Sequence, residues 1–107
     1  MKPIIQTLRL QVTNAELVVR PNPFTPNNDG FNDQAVFDFS RLVLTNPELK
    51  IFSFNGVLLQ TLRNIRNTAF QWDGLDSGGR EQKPGVYLYI LSDNAVRVSS
   101  GYVVLAR

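Results

Sequence analysis

Residues Glu48 to Arg63 read ELKIFSFNGVLLQTLR, two apolar, β-branched and aromatic runs on either side of Asn55-Gly56. The runs are too short for helices and lack their i, i+3, i+4 spacing, so both are strands. An Asn-Gly pair readily takes the two positive φ angles of a type I′ turn, which predicts a tight hairpin closing at Asn55-Gly56.

Outward from this hairpin the same signature recurs. Candidate strands are Gln6 to Val12, Glu16 to Arg20, Gln34 to Phe39, Glu48 to Phe54, Val57 to Arg63, Ala69 to Trp72, Val86 to Ser92 and Val96 to Leu105, with Gly101 a candidate break in the last. Asp93-Asn94 is the expected turn of a second hairpin, because both residues tolerate left-handed backbone. Thr45-Asn46-Pro47 is a turn, since the proline drives the preceding asparagine out of helical conformation. Asp73 to Gly85, with four glycines and Pro84, is a long connection of the kind that crosses between sheets or carries function. Short strands at this spacing predict an all-β, antiparallel sandwich.

At 107 residues the chain suits one domain, 1–107, with residues 1–15 an N-terminal extension or an extra edge strand. Apolar residues make up 43% and charged ones 19%, which fits a packed domain and neither a disordered nor a membrane-embedded chain. No apolar run is long enough to span a bilayer. The start, MKPIIQTLRLQVTN, lacks the apolar core and cleavage site of a signal peptide, so an exported parent would carry its signal upstream. The net charge is +2 and the eleven basic residues are dispersed, which argues against nucleic acid as a partner. With neither cysteine nor histidine, every Ser-His, Cys-His and His-metal arrangement is excluded.

The densest polar segment is PNPFTPNNDGFND, Pro21 to Asp33. As a calcium loop it would offer Thr25, Asn27, Asp29 and Asp33 with the Phe31 carbonyl. Threonine stands where the first aspartate belongs, and Val36 where the bidentate glutamate belongs. The alternative, favoured by this donor set, is a loop whose Asx side chains fold back on their own backbone, with no cofactor.

Trp72-Asp73-Gly74 ends a strand and opens the glycine-rich connection. A core Trp72 with Asp73 bonding the next turn's amides is the structural reading; an exposed Trp72 stacking on sugar is the functional one. Tyr87 and Tyr89 share one strand face and Val86, Leu88 and Ile90 the other, which predicts a central strand covered on both sides. Tyr87, just after Gly85, stands where the tyrosine corner of sandwich domains places its ring. The nine carboxylates fall mostly in turns, and a sandwich this small has little room for the cleft that a glycosidase pair needs.

In order, PNPFTPNNDGFND, LKIFSFNGVLLQTL, WDGLDSGG, KPGVYLYIL and GYVVLAR resemble the Ig-like domain of the flagellar hook-capping protein and the similar C-terminal domains of gliding-motility-associated and type IX secretion cargo proteins. The resemblance spans about Glu16 to Arg107. Ser53 departs from it, standing where that family carries Asn or Asp three residues before the hairpin glycine.

What the resemblance implies is an immunoglobulin-like β-sandwich of about seven strands with no catalytic residues. It further implies a C-terminal module of a secreted or cell-surface bacterial protein, acting as a type IX secretion sorting and attachment domain or as an Ig-like spacer. Secretion or cell-surface protein machinery would then be the partner. The rival reading is a carbohydrate-binding module appended to a secreted glycoside hydrolase. The domain is expected to be a monomer, with self-association through edge strands such as GYVVLA the alternative.

Overall fold

The computed structural model describes residues 17–63 and 68–107. The candidate strand Gln6 to Val12 lies outside the described residues. Seven strands form: β1 (Val18–Arg20), β2 (Ala35–Asp38), β3 (Pro47–Phe52), β4 (Leu58–Arg63), β5 (Ala69–Trp72), β6 (Gly85–Asp93) and β7 (Val96–Leu105). They make two antiparallel sheets, ordered β1-β2-β5 and β4-β3-β6-β7. This is the expected sandwich. The connection from Trp72 to Gly85 does cross between sheets, joining β5 of one to β6 of the other.

The alternation in the sequence becomes the core. Leu49 and Ile51 of β3, Phe37 of β2, and Leu91 and Val103 of β6 and β7 are sealed from solvent, as are Phe24, Ala35 and, within one percent, Trp72 and Leu105. Aromatic pairs join the two layers: Phe37 meets Tyr89 edge-on at 5.1 Å between ring centroids, and Trp72 meets Tyr87 at 5.2 Å. Such tilted contacts stabilise a core beyond the area they bury.

Four expectations need correcting. The β3–β4 hairpin is not a type I′ turn, because only Gly56 has positive φ (92°) while Asn55 does not. Gly56 N–H donates to the Ser53 carbonyl and Ser53 N–H to that of Val57, which makes a type I turn followed by a left-handed glycine and a bulge. Ser53 suits this geometry, since its hydroxyl also accepts from Val57 N–H at 3.0 Å.

The second hairpin turns on Asn94-Ala95, with φ of 52° and 66°, one residue later than expected, and Asp93 is instead the last residue of β6. The Asp93 carboxylate reaches across to the Thr45 and Asn46 amides at 3.0 and 2.6 Å and so holds the Thr45-Asn46-Pro47 turn.

Strand β6 is central but not covered on both sides. Its outer residues Val86, Leu88 and Ile90 face away from the other sheet, with Val86 38% exposed. Strand β7 runs unbroken through Gly101. The register shifts further along, between Leu91 and Ser92, where Val98 of β7 is left without a cross-strand partner.

Candidate functional site

The motifs singled out in the sequence meet at one end of the sandwich. Three pieces of chain converge there: the Pro21–Asp33 loop, the connection after Trp72, and the last residues of β7.

Asn22 and Phe24 fix the loop to the terminal strand. The Asn22 side chain accepts from Val104 N–H at 2.8 Å and donates to the Tyr102 carbonyl at 3.4 Å. Phe24 N–H donates to the Val104 carbonyl at 2.9 Å, and Ala106 N–H to that of Phe24 at 2.8 Å. This parallel bridge covers the C-terminal half of the β7 edge, where a free edge would invite strand pairing. The Phe24 ring is wholly buried, 5.5 Å from Trp72.

Within the loop three of the candidate calcium donors, the side chains of Asp33, Asp29 and Asn27, are engaged with backbone. Asp33 Oδ1 accepts from Asn27 and Asn28 N–H at 3.2 and 3.0 Å, and Oδ2 from Gly30 N–H at 2.9 Å. Asp29 Oδ1 accepts from Phe31 N–H at 2.8 Å, and Asn27 Oδ1 from Asp29 N–H at 3.3 Å. Thr25 N–H donates to the Asn32 carbonyl at 2.8 Å and closes the loop. The Phe31 ring points to solvent, 76% exposed.

The connection after β5 is built the same way. Trp72 Nε1–H donates to the Leu75 carbonyl at 2.9 Å, while Asp73 accepts from Leu75 N–H at 3.1 Å. Gly74 sits against the terminal strand, where an added Cβ would lie 3.0 Å from Leu105 Cδ1. Asp76 accepts from Gly78 and Arg80 N–H, both at 2.9 Å, and pairs with the Arg80 guanidinium at 3.2 Å. The hydrogen bond from the Arg80 amide, more than the other contacts, holds the Asp76 carboxyl below its ordinary pKa. Gly85 opens β6 opposite Leu105.

Two residues lock the assembly. Arg107, the last residue of the chain, donates to the Pro26 carbonyl at 3.0 Å and to the Gln82 carbonyl at 2.7 Å, tying the two loops together. Tyr87 hydroxyl donates back to the Lys83 carbonyl, the bond that defines a tyrosine corner. Burial pushes the Tyr87 phenol up, with the nearby Arg107 charge partly opposing it. An open cleft of about 730 Å³ lies between the loops, with Pro26, Asp33, Asp73 and Glu81 among its walls.

Among the described residues, no three acidic side chains converge on one point. Trp72, Tyr87 and Tyr89 are buried, so the sugar-stacking face that would need Trp72 is not formed. What the site has is a braced polar end with a shallow acidic cleft. The family described as CHU_C type IX secretion signal domain matches residues 18–105, from the start of β1 to the end of β7.

The chain belongs to the type IX secretion signal domain family.

A solved structure, that of PorZ, an essential bacterial surface component of the type-IX secretion system of Porphyromonas gingivalis, shares the fold. Its TM-score is 0.63 and its identity 22%, over 87% of this chain. The chain spans 12% of the PorZ length. No curated protein matches the sequence significantly. Membership in the type IX secretion signal domain family makes the module a sorting domain, and places its bearer outside the cell or on its surface. The loop motifs were legible in the sequence; the Arg107 clamp and the Asn22 bridge were not, because both join residues some eighty positions apart.

Proposed function

We propose that this type IX secretion signal domain acts without catalysis, as a folded address recognised by the secretion machinery through protein–protein contact, at the C-terminal end of its cargo. The observation that carries this reading is the family match, which covers all seven strands and both braced loops, so that the matched unit is the folded sandwich and not a short linear tag. The fate of the carboxylates supports a role without chemistry. Asp33, Asp73, Asp76 and Asp93 each accept backbone amides of turns, which is the work of structural braces. The same occupancy favours a loop that is ordered without calcium. The domain acts as a monomer, since the Asn22–Phe24 bridge occupies part of the β7 edge.

The test is a fusion of residues 1–107 behind a reporter that carries an inner-membrane export signal, expressed in a bacterium with a working type IX system. The reporter is expected at the surface or in the medium. A Trp72→Ala fusion, whose core is broken, is expected to stay in the periplasm. Periplasmic retention of the wild-type fusion would make the domain a spacer.

A further inference from the structure

The outer face of the β4-β3-β6-β7 sheet is ordered in rows. Leu58, Phe52, Leu88 and Tyr102 are cross-strand partners in succession, one from each strand, and form an unbroken apolar row across the sheet. Leu58 is 50% and Tyr102 61% exposed. Two residues along the strands lies Thr61-Lys50-Ile90-Ser100, and two further lies Arg63-Glu48-Ser92-Arg97. The face therefore grades from apolar to cationic over about 13 Å, four residues of strand rise.

Glu48 is the one anion of the charged row and is taken by Arg63 at 2.8 Å and Lys50 at 3.7 Å. Among the described residues no carboxylate pairs with Arg97. Between Arg97 and the apolar row is an open hollow of about 510 Å³, lined by Gly101, Ser100, Leu88, Ile90 and Tyr102 among others. The opposite sheet has no such row, because its outer positions include Arg20 and Asp38, paired at 3.4 Å, and Gln71.

We infer that this face docks a protein segment carrying apolar side chains flanked by acidic ones, with an apolar side chain in the hollow at Gly101 and a carboxylate on Arg97. The inference rests on the proposed address role and names the surface through which it would act. Charge selects this occupant over two others. A second copy would bring one net-cationic face against another. Residues 1–16 carry Lys2 and Arg9 against Glu16 alone, and would add positive charge to a positive face. Half-buried Phe52 and Leu88 suit side chains presented by a protein more than a lipid surface.

Two labelled dodecapeptides with the same Leu-Phe-Ile-Leu centre, one flanked by glutamates and one by lysines, probe the face by fluorescence anisotropy with the purified full chain, independently of export. The glutamate peptide is expected to bind at least tenfold more tightly. Arg97→Glu should abolish that preference, and Tyr102→Lys should weaken binding at least fivefold. Lys83→Glu, the same charge change before β6 at the other end of the sheet, should do neither. Circular dichroism and melting of each variant confirm the fold.

Four results would overturn the inference: equal binding of the two peptides, a preference that survives Arg97→Glu, tighter binding to anionic phospholipid vesicles than to the glutamate peptide, or sedimentation as a dimer that Tyr102→Lys dissolves. Removal of residues 1–15 is expected to leave thiol labelling of a Tyr102→Cys chain, which holds no other cysteine, unchanged. Faster labelling would make that segment the occupant and also overturn the inference. Loss of export with peptide preference intact would remove the address role alone.

Discussion

Tyr89 and Gly101 are cross-strand partners in β6 and β7, and the Tyr89 ring lies over the glycine. A Cβ built on Gly101 would stand 2.7 Å from Tyr89 Oη and 3.0 Å from Cζ, closer than such atoms approach. The ring fills what an absent side chain leaves, which is why a glycine interrupts neither β7 nor its pairing. Gly101→Ala is expected to push the ring off its contact with Phe37 and to destabilise the domain by about 1–3 kcal/mol, the usual cost of overpacking. Chemical denaturation would measure it. In a double variant with Tyr89→Ala the alanine at 101 should cost far less; equal costs in both backgrounds would sink the argument.

Tyr87→Phe removes the hydroxyl of the tyrosine corner and leaves the Lys83 carbonyl without that donor. A loss of about 1 kcal/mol follows, the net value of an ordinary intramolecular hydrogen bond. The ring remains against Trp72, so the near-ultraviolet dichroism of the core should be unchanged. A loss above about 3 kcal/mol would mean that the ring itself had moved.

The strands and loops were legible in the sequence because each rests on near neighbours. Asp33 finds its amides three to six residues back, Asp76 its own two to four ahead, and the Tyr87 hydroxyl its carbonyl four back. The hairpin at Gly56 was legible as a hairpin but not in type, since Asn-Gly also fits the type I turn with a left-handed glycine that Ser53 stabilises. The outer face of β6 was misjudged for a different reason. Alternation identifies two apolar faces, yet it does not say whether both are covered, and only the sheet order puts Phe52, Leu88 and Tyr102 side by side.

Arg107 joins two loops that the chain brings together only at its last residue. Arg107→Gln removes the bonds to the Pro26 and Gln82 carbonyls and is expected to lower amide protection at Gln82 and Ala106 about tenfold or more. Global stability should fall by about 1 kcal/mol or less, because the side chain is exposed and screened. Hydrogen exchange followed residue by residue separates the two. Uniform loss of protection through β3 and β6 would mean that the clamp holds the whole fold.

Asp33 gathers three amides with two oxygens, so Asp33→Ala should destabilise the loop by about 1–2 kcal/mol, as loss of a comparable cap does. If the loop is braced this way without a metal, millimolar calcium should leave the melting temperature of the wild-type domain unchanged. A rise of several degrees, lost in the Asp33→Ala variant, would restore the calcium reading for Thr25, Asn27, Asp29, Phe31 and Asp33.

Stability should be flat through neutral pH and fall at both extremes. Amide hydrogen bonds, from Ser40 to Asp38 and from Arg80 to Asp76, hold both carboxyls below their ordinary value of 3.8. Their contribution is present above that value, where the unfolded chain is also ionised, and is lost as pH falls through the lower folded values. Burial raises the phenols of Tyr87 and Tyr89 above 10.0. As pH climbs past 10.0 the unfolded chain releases those protons first, so stability is whole below that point and drains as pH rises through the folded values. With no histidine in the chain, no side chain with an ordinary pKa titrates between about pH 5 and 8. The urea midpoint against pH should show a plateau there, and Tyr87→Phe should soften the alkaline limb alone. A step near pH 6.5 would contradict this account, because no group in the sequence ordinarily titrates there.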